Sequence, residues 1–166
     1  MAGPLDGIRV VEFSEIIAGP VSGVLLSDLG ANVIKVEPPW GDPWRGSPTR
    51  VGPPEAKETR GFIAVNRGKR SIRLDLTKPE GVKVVHRLVR QSDVVITNHR
   101  PDVPAKLGID YETLSAIKPD LIYCEITAFG RSGPENAKPG YDIIMQARTG
   151  LMATNGSIEH GVPRVI

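Results

Sequence analysis

Cysteine is almost missing from this chain. Cys124 stands alone, so no internal disulfide can form, and nothing in the residue usage points to an oxidising compartment. It lies in the apolar run LIYCEI and is expected to be buried and inert. No apolar run approaches the ~18 residues that cross a bilayer. The N-terminus MAGPLDGIRV lacks the charged-then-apolar order of a signal peptide, so a cytoplasmic protein without membrane association is the expectation. The excess of one charge sign is also small: a formal net charge of +2 does not by itself call for nucleic acid. There is no P-loop, no G-x-S-x-G elbow and no Cys/His cluster with metal-ligand spacing. His99 and His160 are too isolated in sequence to suggest a metal. His86 has no second ligand four residues on, and reads as a partly buried surface histidine.

What is present is ordinary globular material, 166 residues with 40% hydrophobic and 24% charged content, enough for one domain with a real core. The organising stretch is Ile8 to Glu37. Val10, Val11 and Phe13 suit a strand buried on both faces. Gly19-Pro20 opens a helix, because proline's fixed φ fits the first helical position. Val21, Val24, Leu25 and Leu29 recur at helical spacing, and Gly30 is a natural stop. Val33, Ile34 and Val36 make a second strand. A connection of this length containing a helix implies a parallel pair with a right-handed crossover, half of a Rossmann-like unit. Glu37 stands where a ribose-binding acid would sit in a dehydrogenase. The turn SEIIAGP, however, holds one glycine and no G-x-G-x-x-G, which argues against a dinucleotide.

From Pro38 to Gly61 the chain is crowded with proline and glycine and has no period. So long a loop in a compact domain is expected to be an active-site or partner-contacting excursion, with Trp40 and Trp44 able to anchor it by packing. Between Arg45 and Arg73 eight basic residues face only Glu55 and Glu58. That segment could meet an anion or form a solvated loop. Ser71–Leu76 alternates as an edge or hairpin strand. Thr77 to Glu80 resembles a capping box opening a helix to about Gln91, with Val82, Val85 and Val89 inward.

Val94–Ile96 forms another buried strand, ending in Thr97-Asn98-His99-Arg100-Pro101. Ligands in open α/β sheets bind beyond the carboxyl ends of strands, where an amide, an imidazole and a guanidinium arrive together here; a plain turn is the competing reading. A short helical segment through Lys106-Leu107-Gly108 follows. Asp110 then caps a helix holding Tyr111, Leu114 and Ile117, and Leu121–Ile126 is the next strand. Asp142–Ala153 reads as a helix with Ile143, Ile144, Ala147 and Leu151 inward, and the tail GVPRVI as the start of a strand. A chain that stops there is expected to continue in a longer polypeptide.

Five ordered phrases carry a resemblance across essentially the whole chain: PLDGIRVVEFSEIIAGPVSGVLLSDLGANVIKVEPPWGDPWR, NRGKRSIRLDLTKPEG, SDVVITNHRP, LGIDYETL and KPGYDIIMQARTGLMATNG. Together they resemble the family III CoA-transferases, a family that also contains the α-methylacyl-CoA racemases. The resemblance implies an α/β fold, a Rossmann-like parallel sheet with flanking helices, incomplete relative to the family's large domain. Residues 1–166 would be the N-terminal part of that CoA-binding domain, with the small domain and the returning C-terminal segment absent, and the parent enzyme an interlocked homodimer. It implies that Asn98, His99 and Arg100 with Lys106 and Leu107 contact the adenine and phosphate region of coenzyme A. Cations have a physical use there, since charge-assisted hydrogen bonds to phosphate are strong.

It further implies that Glu15, Ile16 and Ile17 lie near the thioester, and that Lys138 and Tyr141 lie close to the acyl pocket. Pro38 stands where some members carry a basic residue. The family's nucleophile is an aspartate, expected a few residues past Ile166, so the 166-residue chain alone is expected to be inactive. Substrates would be an acyl-CoA and a carboxylic acid, with no metal. The alternatives are a racemase fragment and a non-catalytic CoA or nucleotide binder. Tyr141 stands where racemases place a histidine base, and a phenol is a poor base at neutral pH, which favours CoA transfer.

Overall fold

The computed structural model describes residues 3–46, 58–156 and 164–165, in two compact units, Met1–Ile126 and Thr127–Ile166. The first unit is built on five parallel strands: β1 (Arg9–Phe13), β2 (Asn32–Glu37), β3 (Arg70–Arg73), β4 (Val94–Thr97) and β5 (Ile122–Glu125). They lie in the order β3-β2-β1-β4-β5. Parallel strands need long crossovers, and helices supply them: α1 (Ala18–Asp28), α2 (Arg60–Asn66), α3 (Pro79–Val89), α4 (Val103–Lys106) and α5 (Tyr111–Ile117).

Both faces of the sheet are covered, which is why the central strands read as near-continuous apolar runs. On one face Val11, Phe13, Val36 and Val95 pack with Val85 and Val89 of α3, Leu114 of α5, Ile109 and Leu121. On the other face Val10, Val33 and Ile96 pack with Ala31 and Leu26. Gly30, at φ +104°, ends α1 as its sequence position suggested. Asp110 caps α5 by accepting from the Thr113 N–H at 2.9 Å.

Several expectations are corrected. Helix α1 buries its small residues, Gly19, Pro20 and Gly23, with Val24. Leu25 and Leu29 point outward, 56% and 45% exposed, because close contact with the sheet favours the face that lacks bulk. Helix α2 begins in the last two residues of the stretch read as loop, Arg60 and Gly61, and continues to Asn66, where no element was expected. Trp44 packs over Gly61, but Trp40 is largely exposed. No capping box forms at α3: the Thr77 amide and hydroxyl both donate to Asp75, at 3.0 and 2.6 Å. Cys124 is exposed, on the uncovered side of edge strand β5 beside Ile122.

In the second unit the single helix expected over 142–153 is two, α6 (Asp142–Arg148) and α7 (Leu151–Thr154), separated by Gly150 at φ +79°. Ile143, Ile144 and Leu151 are exposed there, while Gln146 is buried. The strand expected in GVPRVI lies outside the described residues except at Arg164 and Val165. Among the described residues no helix is long and apolar enough to cross a membrane.

Candidate functional site

The chain leaves β1 toward one edge of the sheet and leaves β3 to return on the other side of β1, so the connections diverge between β1 and β4. In open α/β sheets that switch point, at the carboxyl ends of the strands, is where ligands lie. A cavity of about 260 Å³ opens there. Its apolar wall includes Phe13, Val36, Leu74, Leu76, Val103 and Leu107, and Glu15 and His99 supply polar groups. A mostly apolar concavity with a few fixed polar groups is the usual form of a small-molecule site.

Three of the residues singled out from sequence, Glu15, His99 and Leu107, line this cavity. The others stand around it in different ways. Asn98 clamps the preceding turn: its Oδ1 accepts from the Glu15 N–H at 3.0 Å and its Nδ2 donates to the Glu15 carbonyl at 2.8 Å. Arg100 and Lys106 are exposed and share Asp102, at 3.5 and 2.6 Å, which leaves two cations on one carboxylate. Ile17 is 45% exposed. Ile16 has φ +68°, a left-handed conformation that a β-branched side chain occupies at a cost of about 1–3 kcal/mol. Lys138 and Tyr141 belong to the second unit. Lys138 pairs with Glu135 at 2.6 Å, and Tyr141 is exposed immediately before α6.

Beneath the turn lies a buried charge cluster that the apolar reading of the strands passed over. Glu12 of β1 sits opposite Lys35 of β2 in the register. Lys35 Nζ donates to the Ser14 carbonyl at 2.5 Å, and lies 3.0 Å from Asp42 Oδ2 and 3.3 Å from Glu12 Oε1. Lys69 completes Glu12 at 2.7 Å. Glu37 is held by Arg45 through two contacts of 2.6 Å, by the Ser71 hydroxyl at 2.5 Å and by the Asp42 N–H at 2.9 Å. Three cations thus neutralise three carboxylates, as burial of charge requires. Glycine makes the arrangement possible: a Cβ on Gly23 would fall 1.8 Å from Glu12 Oε2, and one on Gly19 would fall 2.3 Å from Ser14 Cβ.

This cluster absorbs much of the basic segment that could have met an anion. Arg45 also pairs with Glu58, and Arg67 with Asp28. Arg50 and Lys57 lie outside the described residues, as does His160. Glu37, far from being free for a ribose, is committed to Arg45. Charged residues set inside apolar runs, Glu12 in RVVEF and Lys35 in NVIKVE, were the available signal.

Electrostatics divide the groups at the cavity. Burial, with the neighbouring Asp42 carboxylate second, pushes the Glu15 carboxyl above its ordinary value. Burial and then the Lys35 charge push His99 down, so its ring is held neutral; its Nδ1 lies 2.9 Å from the Thr97 hydroxyl. For Glu37 burial opposes ionisation, but the Arg45, Ser71 and Asp42 hydrogen bonds overcome it and hold its pKa at about 2. Among the described residues no group of three or more His, Cys, Asp and Glu side chains could hold a metal.

Comparison with known proteins is consistent with this geometry. The sequence profile of CoA-transferase family III matches residues 5–165. The chain is 49% identical over 161 residues to a succinate–glutarate CoA-transferase of Agrobacterium fabrum, covering 92% of this chain and 39% of that protein. It is 39% identical over 162 residues to the human succinyl-CoA:glutarate CoA-transferase, covering 96% and 36%. A crystal structure of a CAIB/BAIF family protein from Brucella suis superposes with a TM-score of 0.92 at 46% identity, covering 100% of this chain and 44% of that one. The chain therefore spans about two fifths of the length of these relatives.

Proposed function

The chain belongs to CoA-transferase family III, and from that membership we propose that it forms the CoA-holding N-terminal portion of an enzyme that moves CoA between carboxylic acids. The observation that carries this reading is the apolar cavity at the β1/β4 switch point, with the exposed cations Arg100 and Lys106 carried on the segment that follows β4. The cavity suits an apolar-faced part of coenzyme A, with Glu15, His99 and Leu107 at its wall. These two cations share a single carboxylate and so retain a positive excess for phosphate. The turn Glu15-Ile16-Ile17 would then stand toward the thioester.

Transfer in this reading is a sequence of exchanges among carboxylates and a thiolate. An aspartate in the polypeptide beyond Ile166 attacks the thioester carbonyl, forming a mixed anhydride and releasing CoA thiolate. The thiolate attacks the aspartyl carbonyl, freeing the donor acid and leaving an aspartyl-CoA thioester. The acceptor carboxylate then repeats both steps in reverse, and covalent catalysis divides one hard transfer into easier ones. No step moves a proton, so this part of the site needs no poised base. Lys138 and Tyr141 are assigned to the acyl end of the substrate. Both curated relatives are named for succinate and glutarate, and we assign the acids here to the short dicarboxylates.

The test is carried out on the full-length polypeptide supplied with succinyl-CoA and glutarate. Formation of glutaryl-CoA, with a lower affinity for CoA in an Arg100→Ala/Lys106→Ala variant, is the expected result. Absence of calorimetric CoA binding by the wild-type protein would overturn the reading. Binding without transfer to any short dicarboxylate would instead favour a CoA-binding protein without activity.

A further inference from the structure

Three consecutive residues that follow β1 are each held by a side chain from a different part of the chain. The Ser14 carbonyl accepts from Lys35 of β2 at 2.5 Å. Both backbone groups of Glu15 are taken by Asn98, immediately after β4. The Ile16 N–H donates to Asp42 Oδ2 at 3.3 Å. Asp42 is itself fixed on every side: its Oδ1 accepts from the Trp44 N–H at 2.8 Å, its own N–H donates to Glu37, and its Oδ2 lies 3.0 Å from Lys35 Nζ.

Joining a strand to a helix does not require this. A glycine at residue 16 would take φ +68° freely, with no tether. The chain instead places isoleucine there and surrounds it with a buried cluster that has no slack. Strain that persists under such restraint is a mark of a position whose geometry matters to function. The consequence of the geometry is directional: Glu15 lines the cavity while Ile17, two residues on, is left exposed at the entrance to α1.

We propose that Asp42, seated on Lys35, is a positioning residue that locks the Ser14–Ile17 turn in its left-handed form and so fixes the wall against which the reacting thioester is aligned. This rests on the assignment of that turn to the thioester. Neither Asp42 nor Lys35 touches the cavity's contents; both act through the backbone of Ser14 and Ile16. Misalignment of reacting groups by about an ångström is enough to reduce turnover by up to about two orders of magnitude while leaving binding nearly intact.

Asp42→Asn in the full-length protein should lower kcat by about tenfold or more and leave KM for the acyl-CoA within about threefold. Adding Ile16→Gly to that variant should restore kcat at least about threefold, because glycine holds the left-handed form without the tether. A purely structural role predicts no such rescue. A kcat for folded Asp42→Asn within about twofold of wild type, or a loss that Ile16→Gly leaves unchanged, would overturn the proposal. Should the variant fail to fold, hydrogen exchange on the wild-type protein decides: the Glu15 and Ile16 amides should be strongly protected, and exchange at free-peptide rates would overturn it. Loss of all CoA binding and transfer in the wild type would refute the proposed function instead, so the two failures are distinct.

Discussion

At the scale of single residues, Glu15 and Lys35 show how one small region sets opposite demands on charge. Lys35 is surrounded by acceptors, whereas Glu15 faces an apolar cavity with acids nearby. Burial and Asp42 raise the Glu15 pKa. An acid whose folded pKa is raised favours folding while protonated, and that contribution is lost as pH climbs from the unfolded value through the folded one. Glu15→Gln, which stays neutral throughout, should therefore melt higher than wild type at pH 7, with the difference vanishing at pH 4. A melting difference equal at both pH values would show that Glu15 titrates as an ordinary surface acid. Residue-level reading from sequence found His99 because it ends a strand, and Glu15 only through the family resemblance. It missed Lys35 and Asp42, because a charged residue inside an apolar run is legible only when its partner across the sheet is also considered.

At the scale of elements, the strands and their order of use were legible. β1, β2 and β4 carry β-branched runs buried on both faces, and Gly30 and Asp110 mark helix boundaries by chemistry that needs no tertiary context. Helix α2 was not legible, because its seven residues, RGFIAVN, are too few to show a helical period. The orientation of α1 misled for a related reason: its apolar spacing is real, yet the face pressed to the sheet is the glycine face. Gly19→Ala puts this to the test. Its new Cβ would stand 2.3 Å from Ser14 Cβ and 3.3 Å from Asn98 Cβ, atoms close to the backbone that cannot swing aside. A loss of about 1–3 kcal/mol in stability, together with weaker CoA binding in the full-length protein, is expected. Gly46→Ala is the control, since a Cβ there meets nothing within 4 Å among the described residues. Equal behaviour of the two variants would mean that α1 can retreat from the sheet without consequence.

At the scale of the whole molecule, the exposed apolar groups matter most. Ile17, Val21, Leu25 and Leu29 follow one another at intervals of four along α1, and Ile17, Leu25 and Leu29 are each 45% exposed or more. Such a row is an association surface whenever it meets water. The 166-residue chain should self-associate and bind a hydrophobic dye, and Leu25→Glu/Leu29→Glu should reduce both, as read by light scattering and dye fluorescence. An unchanged apparent mass would locate the association elsewhere, for example at the exposed Ile122 of β5. The sequence showed this row as apolar, but its spacing alone could not distinguish a face turned inward from one turned outward.

The buried cluster of Glu12, Lys35, Asp42 and Lys69 also constrains how the protein can drift over generations. Replacing Lys35 alone leaves Asp42 without its cation in the interior, and replacing Glu12 alone leaves Lys69 without its carboxylate. Breaking one buried pair in this way costs about 3–5 kcal/mol, a large share of what holds a domain together. Single steps away from the present arrangement are therefore closed, and lineages can leave it only by concerted exchange. These four positions should change together or not at all, although they are spread over 58 positions of sequence, from Glu12 to Lys69.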